Sequence, residues 1–497
     1  MQSDERNLTL LADFYEFTMS NGYVKLGRGD KIGYFDYFFR SVPDDGGYAI
    51  FAGLTQLIEY LENLRFSDDD IEFFRRKGIF SEEFLEKLKE FKFECDVWAI
   101  EEGSVIFPHE PIVTVRGPLY QVQMIETMLL LILNHQSLVA TKTSRMVRVA
   151  KGRAISEFGS RRAHGADAAN YGARAAYIGG AAGSANTYTD RHLGIPATGT
   201  MAHSWVQSFD SELESFRAYA EVYPSACLLL VDTYDVLRSG IPNAIKVFNE
   251  LKGKGYKPLG IRIDSGDIAY LTKETRKMLD AAGFEDAKIV VSNSMDEFKI
   301  RDLLNQGAQI DSFGVGERLI TAKSDPVFGG VYKLVAMEED GKIIPKIKVS
   351  EDVVKITTPG FKQIYRIYNK DTGFMEADLV CLHDEPAPNG EPLEIFHPLY
   401  TWKRTILENY YTEPLMKKIF EGGKLIYKKP DIEEIRNKAK SEQAKLWDEI
   451  KRLDDPHSYY VDLSPKLYQI RYDLLKEGKR LWQRPFIGCF VLKNGVK

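Results

Sequence analysis

A chain of 497 residues is long enough for two or three domains, each burying its own core. Its 44% hydrophobic and 28% charged residues are the proportions of an ordinary soluble globular protein. With 66 basic against 72 acidic side chains, the net charge of −6 argues against a general nucleic-acid binder, while leaving room for local basic pockets that hold anions.

The first stretch mixes periods. LLADFYEFTMSNGYVKLG has helical spacing that ends near glycine, whereas KIGYFDYFFRSV alternates like a strand. GGYAIFAGLTQLIEYLENL reads as a loop or short strand leading into an amphipathic helix, and further helical patterns lie near 68–77 and 81–91. Residues 96–115 are short β-rich pieces separated by Gly and Pro, and a long helical pattern runs from about Leu119 through Met146. Beyond this, strand-like runs (CLLLVDTYD, PLGIRIDSGD, KIVVSNSMD, IDSFGVGERL) alternate with helical patterns such as PNAIKVFNELKGKG. That alternation is the mark of βα units around a parallel sheet or barrel, whose ligands collect at the strand ends. Too few units are visible for eight equal repeats, so an irregular or incomplete barrel is expected. After Tyr332 the alternating patterns GKIIPKIKVS and FKQIYRIYN return, and DIEEIRNKAKSEQAKLWDEIKRL reads as one long charged helix capped by Asp431.

Cys95, Cys227, Cys381 and Cys489 are scattered, with no CxxC pair and no zinc-type Cys/His spacing, which argues against a structural metal site. Sparse, unpaired cysteines suit a reducing compartment. The opening MQSDERNLTL is polar, and the longest apolar run, MLLLILN, is too short to span a bilayer. A soluble, cytoplasmic protein with no membrane partner is expected.

Four constellations could carry chemistry. RIDSGD (262–267) sets two carboxylates and a hydroxyl opposite an arginine at a predicted strand end. Such a set can hold ribose hydroxyls or magnesium, or it can simply cap a helix through Ser265 or Asp267. DSFGVGERLIT (311–321) is a strand followed by Gly-x-Gly, where backbone N–H groups can approach a phosphate or merely make a tight turn. SEFGSRRAHG (156–165) offers two arginines to grip pyrophosphate and an aromatic to stack on a planar ligand; the plain alternative is a solvated basic helix start with Phe158 in the core. ATGTMAHSW (197–205) surrounds His203 with small residues, giving a phosphorylated or charged ligand access to its ring, where a satisfied core histidine would need no such space.

In order along the chain, LLADFYEFTMSNGY, FFRSVPDDGGYAIFAGL, EEGSVIFPHEPIVTVRGPLYQVQMIET, NHQSLVATKTSRM, FGSRRAHGADAA, GTMAHSW, VDTYD, IRIDSGD, SNSMDE, FGVGERLIT and GGVYKLV resemble nicotinate phosphoribosyltransferases of bacterial type. The resemblance implies the type II phosphoribosyltransferase fold. This is α/β, an irregular α/β barrel with a second α+β domain formed by the N-terminal part and a returning C-terminal segment. The implied division is 1–135 for the N-terminal domain, 136–335 for the catalytic barrel, 336–430 for the β-rich return and 431–497 for a C-terminal helical region.

The resemblance also implies an ATP-dependent enzyme of the ligase and glycosyltransferase type. It would join nicotinate to 5-phosphoribosyl 1-pyrophosphate in NAD salvage, releasing pyrophosphate, with magnesium as cofactor and a transient phosphohistidine as the coupling device. On the family's pattern His203 is the phosphorylated histidine, and Tyr15 and Phe158 sandwich the pyridine, the tyrosine arriving across a homodimer interface. Arg161 grips the pyrophosphate end. Arg262 and Asp264 serve the ribose and pyrophosphate region, with Ser265 and Asp267 beside them and Asp264 a candidate for magnesium carried on substrate phosphates. Gly314 and Gly316 cradle the 5′-phosphate. Ser184 stands where nicotinamide-specific relatives carry an acid, which favours a carboxylate-bearing substrate. The alternatives are a nicotinamide phosphoribosyltransferase or an inactive relative kept for binding; quinolinate phosphoribosyltransferases lack the phosphohistidine motif and are shorter.

Overall fold

The computed structural model describes residues 7–390 and 392–482; Cys489, the first six residues and the last part of the 431–497 region lie outside the described residues. Among them the chain builds two principal sheets. The first is antiparallel throughout, in the order Lys342–Pro345, Val331–Glu339, Ile32–Phe38, Val113–Pro118, Asp96–Ala99, Lys417–Glu421, Lys424–Leu425. Strands from the N-terminal part thus pair with strands that return from beyond residue 330, as the fold class expected. Val331–Glu339 crosses the 335/336 division and lies wholly in this sheet.

The second sheet is parallel throughout, in the order Gly183–Ser184, Ala154–Glu157, Ser312–Val315, Lys288–Val291, Gly260–Ile263, Leu228–Leu230. Its edge strands Gly183–Ser184 and Leu228–Leu230 are not paired with each other, so the barrel is incomplete, with six strands. Four of the six are the apolar runs ending in polar or glycine residues. These apolar stretches suit burial on both faces, and Ile261, Ile263, Ile289, Val291, Phe313 and Val315 all join one buried core. Ala154–Glu157 and Gly183–Ser184 are too short and too polar to read as strands from pattern.

The long helix Glu126–Val149 binds the two halves. Met128, Leu129, Ile132, Leu133 and Leu138 enter the N-terminal core, while Val139, Ala140 and Met146 enter the barrel core. The single helical pattern read from Leu119 is broken here into Leu119–Gln123 and Glu126–Val149. The C-terminal helix is also shorter than its charge pattern suggests. Ile432–Ala444, closed at its start by a reciprocal Asp431–Glu434 capping box, stops where Leu446, Ile450 and Leu453 turn inward and Lys445 gives its carbonyl to Met375 N–H at 3.0 Å. A further sheet, Tyr410–Pro414, Lys362–Asn369, Met375–Leu382, Tyr460–Leu463, completes the C-terminal part. No helix among the described residues is long and apolar enough to cross a membrane.

Candidate active site

The carboxyl ends of the parallel strands converge on one polar rim, the place where open α/β sheets bind ligands. His203 opens the short helix His203–Gln207 there, its side chain 40% exposed. Its Nδ1 lies 3.1 Å from Thr233 Oγ1, and its Nε2 lies 4.0 Å from Asp232 Oδ1. Asp232, just past Leu228–Leu230, is almost wholly buried, and its Oδ2 accepts from the Asp264 N–H at 2.9 Å and from Ser265 Oγ at 2.6 Å. Its Oδ1 is buried with no hydrogen-bond partner among the described residues. This open carboxylate oxygen thus faces the imidazole from just beyond hydrogen-bond distance.

Arg262, on the next strand, spreads its guanidinium over three partners: Nε donates to Ser292 Oγ at 3.0 Å, Nη1 to Thr200 Oγ1 at 3.2 Å and Nη2 to Asp264 Oδ1 at 3.3 Å. Ser292 Oγ also donates to Asp264 Oδ1. The Arg262 guanidinium carbon stands 5.7 Å from the centre of the Phe158 ring, which the strand Ala154–Glu157 delivers. His203, Arg262, Asp264, Ser265 and Phe158 therefore stand within one connected cluster.

Beneath Phe158 lies Glu157, with burial raising its carboxyl pKa. It accepts from Ser184 Oγ at 2.6 Å and from the Gly159 N–H. Ser184 is itself buried and accepts from Asn186 N–H at 3.0 Å, so its hydroxyl is fully engaged by the protein. Beyond the strand Lys288–Val291, Asn293 (φ 90°) and Ser294 (φ 41°) adopt left-handed backbone, a conformation that costs a non-glycine residue about 1–3 kcal/mol and collects at functional sites.

Three more expected residues have local structural partners of their own. Asp267 caps the helix Ile268–Ala281 through Tyr270 N–H at 3.1 Å, the plain reading of its motif. At Gly314 a Cβ would come 2.5 Å from the Phe158 ring, and at Gly316 one would come 2.6 Å from Arg162 Nη1, so both glycines make room for neighbouring side chains. Arg161 lies exposed on the turn Ser160–Arg162 beside this rim. Tyr15 is in the N-terminal part, on the helix Phe14–Lys25, half exposed next to Glu126, whose charge adds to burial in raising the phenol pKa. Asp232, Thr233, Thr200, Ser292 and Glu157 were not assigned from sequence. Asp232 and Thr233 had a signal, as a carboxylate and hydroxyl closing the strand run LLLVDTYD; the others become visible only through their partners.

Known proteins bear on this cluster. Residues 10–134 match the sequence model of the nicotinate phosphoribosyltransferase N-terminal domain, 153–363 that of the nicotinate phosphoribosyltransferase family, and 361–471 that of the C-terminal domain. A nicotinate phosphoribosyltransferase of Bacillus subtilis (strain 168) is 44% identical over 473 residues, covering 95% of this chain and 96% of the relative. The nicotinate phosphoribosyltransferase of Homo sapiens is 33% identical over 516 residues, covering 92% and 95%. The crystal structure of human nicotinic acid phosphoribosyltransferase superposes with a TM-score of 0.83 at 31% identity, covering 93% of this chain and 99% of that one.

Proposed function

The chain belongs to the nicotinate phosphoribosyltransferase family, and from that premise we propose that its transfer reaction is coupled to ATP through phosphorylation of His203. The reaction itself is the family's: nicotinate and phosphoribosyl pyrophosphate give nicotinate mononucleotide and pyrophosphate, a step of NAD salvage. The single observation that carries the coupling is the pairing of His203 with the open Oδ1 of buried Asp232. In this reading Asp232 Oδ1, 4.0 Å from Nε2, closes on the ring to hold the Nε2 proton, which leaves the Nδ1 lone pair, now facing Thr233 Oγ1, as the nucleophile. Attack on the γ-phosphorus of ATP forms the Nδ1–P bond as the bond to the β-phosphate oxygen breaks, and ADP leaves. Such a transfer asks mainly for alignment and charge neutralisation, and the small neighbours Gly199 and Ala202 leave the approach open.

Glycosyl transfer needs no general base, because the pyridine nitrogen already carries the lone pair that displaces pyrophosphate from the anomeric carbon. Positioning and charge stabilisation supply the rate. Arg262 places its charge beside the Phe158 ring, where a stacked pyridine and the departing pyrophosphate would meet. Asp264 engages only Oδ1 with Arg262 and Ser292 and remains about a third exposed (35%), so it fits a magnesium ion bound mainly through substrate phosphates. The ion would neutralise pyrophosphate charge there.

The active form in this reading is a homodimer in which Tyr15 reaches the partner's pyridine site. Leu11, Phe14, Tyr15 and Met19 support it, forming an exposed apolar face on one short stretch of chain. A cytoplasmic location agrees with Cys95, Cys227 and Cys381, all buried and unpaired.

The test omits nicotinate, phosphoribosyl pyrophosphate, magnesium and ATP in turn and measures mononucleotide and ADP. His203→Ala should lose ATP hydrolysis by a factor on the order of 10³ or more while keeping a slow ATP-independent transfer. ADP still released in step with product by this variant would remove the phosphohistidine from the mechanism. Mixing His203→Ala and Tyr15→Ala proteins should restore part of the ATP-coupled activity if sites are shared between protomers; no recovery after subunit exchange counts against sharing.

A further inference from the structure

We infer that Arg436, on the C-terminal helix Ile432–Ala444, is a positioning residue for the pyridine subsite. Its Nη1 donates to the carbonyl oxygens of Tyr177, at 3.1 Å, and of Ala181, and its Nη2 to that of Gly180 at 3.4 Å. These carbonyls follow one another at the end of the helix Ala166–Ile178, where outward-facing carbonyls carry partial negative charge and a cation is favoured. The guanidinium carbon also sits 4.1 Å from the centre of the Tyr177 ring, whose hydroxyl donates to Glu433 on the same C-terminal helix. Planar donors that satisfy three carbonyls of one turn fix its shape in a way that a single charge could not.

That turn leads directly to the site. Ala182 N–H donates to Ile155 O at 2.7 Å and Ala185 N–H to Glu157 O at 2.8 Å, stitching the loop to the strand that leads into Phe158. Between them Ser184 Oγ donates to Glu157, and Glu157 accepts from Gly159 N–H on the other side of Phe158. Gly179 rests against the Ala140 carbonyl and Gly183 against the Pro196 carbonyl, so close that neither tolerates a Cβ without displacement. The loop is thus pinned on its barrel side, and Arg436 pins it from the C-terminal helix. Arg436 touches none of the expected substrate groups; it acts through the backbone at 177–181 on Ser184, Glu157 and Phe158.

The inference rests on the reading of Phe158 and Ser184 as the pyridine site, and the experiment separates the two. Steady-state constants for nicotinate and phosphoribosyl pyrophosphate are measured in Arg436→Ala, Arg436→Lys and Ser184→Ala, together with thermal midpoints and ATP hydrolysis without nicotinate. Arg436→Ala should raise the KM for nicotinate about tenfold, with the KM for phosphoribosyl pyrophosphate and the ATP hydrolysis within about twofold of the parent. Arg436→Lys, which keeps the charge over Tyr177 but not the three-carbonyl fork, should fall between. An unchanged nicotinate KM, or both KM values rising together, overturns the inference. If Arg436→Ala does not fold, the lysine variant decides by the same criterion. A Ser184→Ala variant that leaves the nicotinate KM untouched instead removes the pyridine-site reading. A rise there with none in Arg436→Ala removes only the role of Arg436.

Discussion

Two arginines show how differently this molecule uses the same side chain. Arg366, at the junction of the C-terminal sheet with the N-terminal part, is wholly buried and its guanidinium is saturated. It donates to both oxygens of Asp378, to Glu442 Oε2 at 3.0 Å and to the Val105 carbonyl at 3.0 Å. Tyr459 donates to the same Asp378 at 3.1 Å and stacks on Phe107 with ring centres 3.8 Å apart. Arg262, at the barrel rim, makes one bond with each nitrogen and remains partly open to solvent. Every nitrogen of the first guanidinium has a protein acceptor, a carboxylate or the Val105 carbonyl, and all of them are buried. The second keeps its charge in a partly exposed setting, linked through Asp264 to Asp232, whose Oδ1 has no partner. What separates them is access rather than pairing: at the joint even Glu110 Oε1, 4.0 Å from Arg366 and without a hydrogen-bond partner, is wholly buried, whereas Arg262 and Asp264 at the rim remain open to solvent.

Substitution separates the two. Arg366→Ala leaves Asp378 and Glu442 buried without their cation and should destabilise the fold by roughly 3–5 kcal/mol, read as a large loss in the midpoint of chemical unfolding. Arg262→Ala should lower kcat/KM on the order of 10²-fold with a far smaller change in that midpoint. Equal losses of stability in both would erase the distinction.

Ser184→Asp sharpens the contrast within the site. A carboxylate at 184 would lie against buried Glu157 and near the expected nicotinate carboxylate. The ratio of kcat/KM for nicotinate over nicotinamide should fall about tenfold, equivalent to roughly 1.4 kcal/mol; an unchanged ratio would mean that this position does not read the substrate's charge.

The smallest effect lies at Glu16, which belongs to neither class. It accepts from Thr127 N–H at 3.0 Å and from Thr127 Oγ1, yet its Oε2 is buried without a partner, and burial pushes its carboxyl up to about 7. In the unfolded chain the group titrates near ~4.3. The native state therefore holds the proton through the window between these values, and stability contributed by this group falls as pH rises across it. Glu16→Gln should flatten the thermal midpoint against pH between about pH 4.5 and 7, so that the variant gains on the parent toward neutral pH. Parallel curves would show that Glu16 does not titrate there.

Part of the rim was legible because its polar residues sit where apolar runs end: Arg262, Asp264 and Ser265 lie at the end of one such run, while Asp232, at the end of another, went unassigned. Apolar runs ending in glycine and polar residues announce strand ends without help from the rest of the chain. The strands Ala154–Glu157 and Gly183–Ser184 escaped because two to four residues of mixed polarity hold no period. The end of the C-terminal helix at Ala444 escaped because its charge spacing continues while tertiary burial of Leu446 and Ile450 breaks the helix. Gly314 and Gly316 were visible as glycines, but the reason for them, Phe158 and Arg162, lies more than 150 residues earlier in the chain. Arg366 and Arg436 gave no signal at all, since part of what they bind is backbone carbonyl, which every sequence contains.

The helix Glu126–Val149 also works as a ruler. Near its first turn Thr127 anchors Glu16, next to Tyr15, and thirteen positions on Ala140 supports the turn that carries Ser184. At 1.5 Å of rise per residue these marks stand about 20 Å apart along a rigid rod. One residue inserted between them would lengthen the rod by about 1.5 Å and swing one mark about 100° around the axis relative to the other. Tyr15 and the turn that carries Ser184 are thus gauged by a single element, and that spacing is the dimension least free to drift.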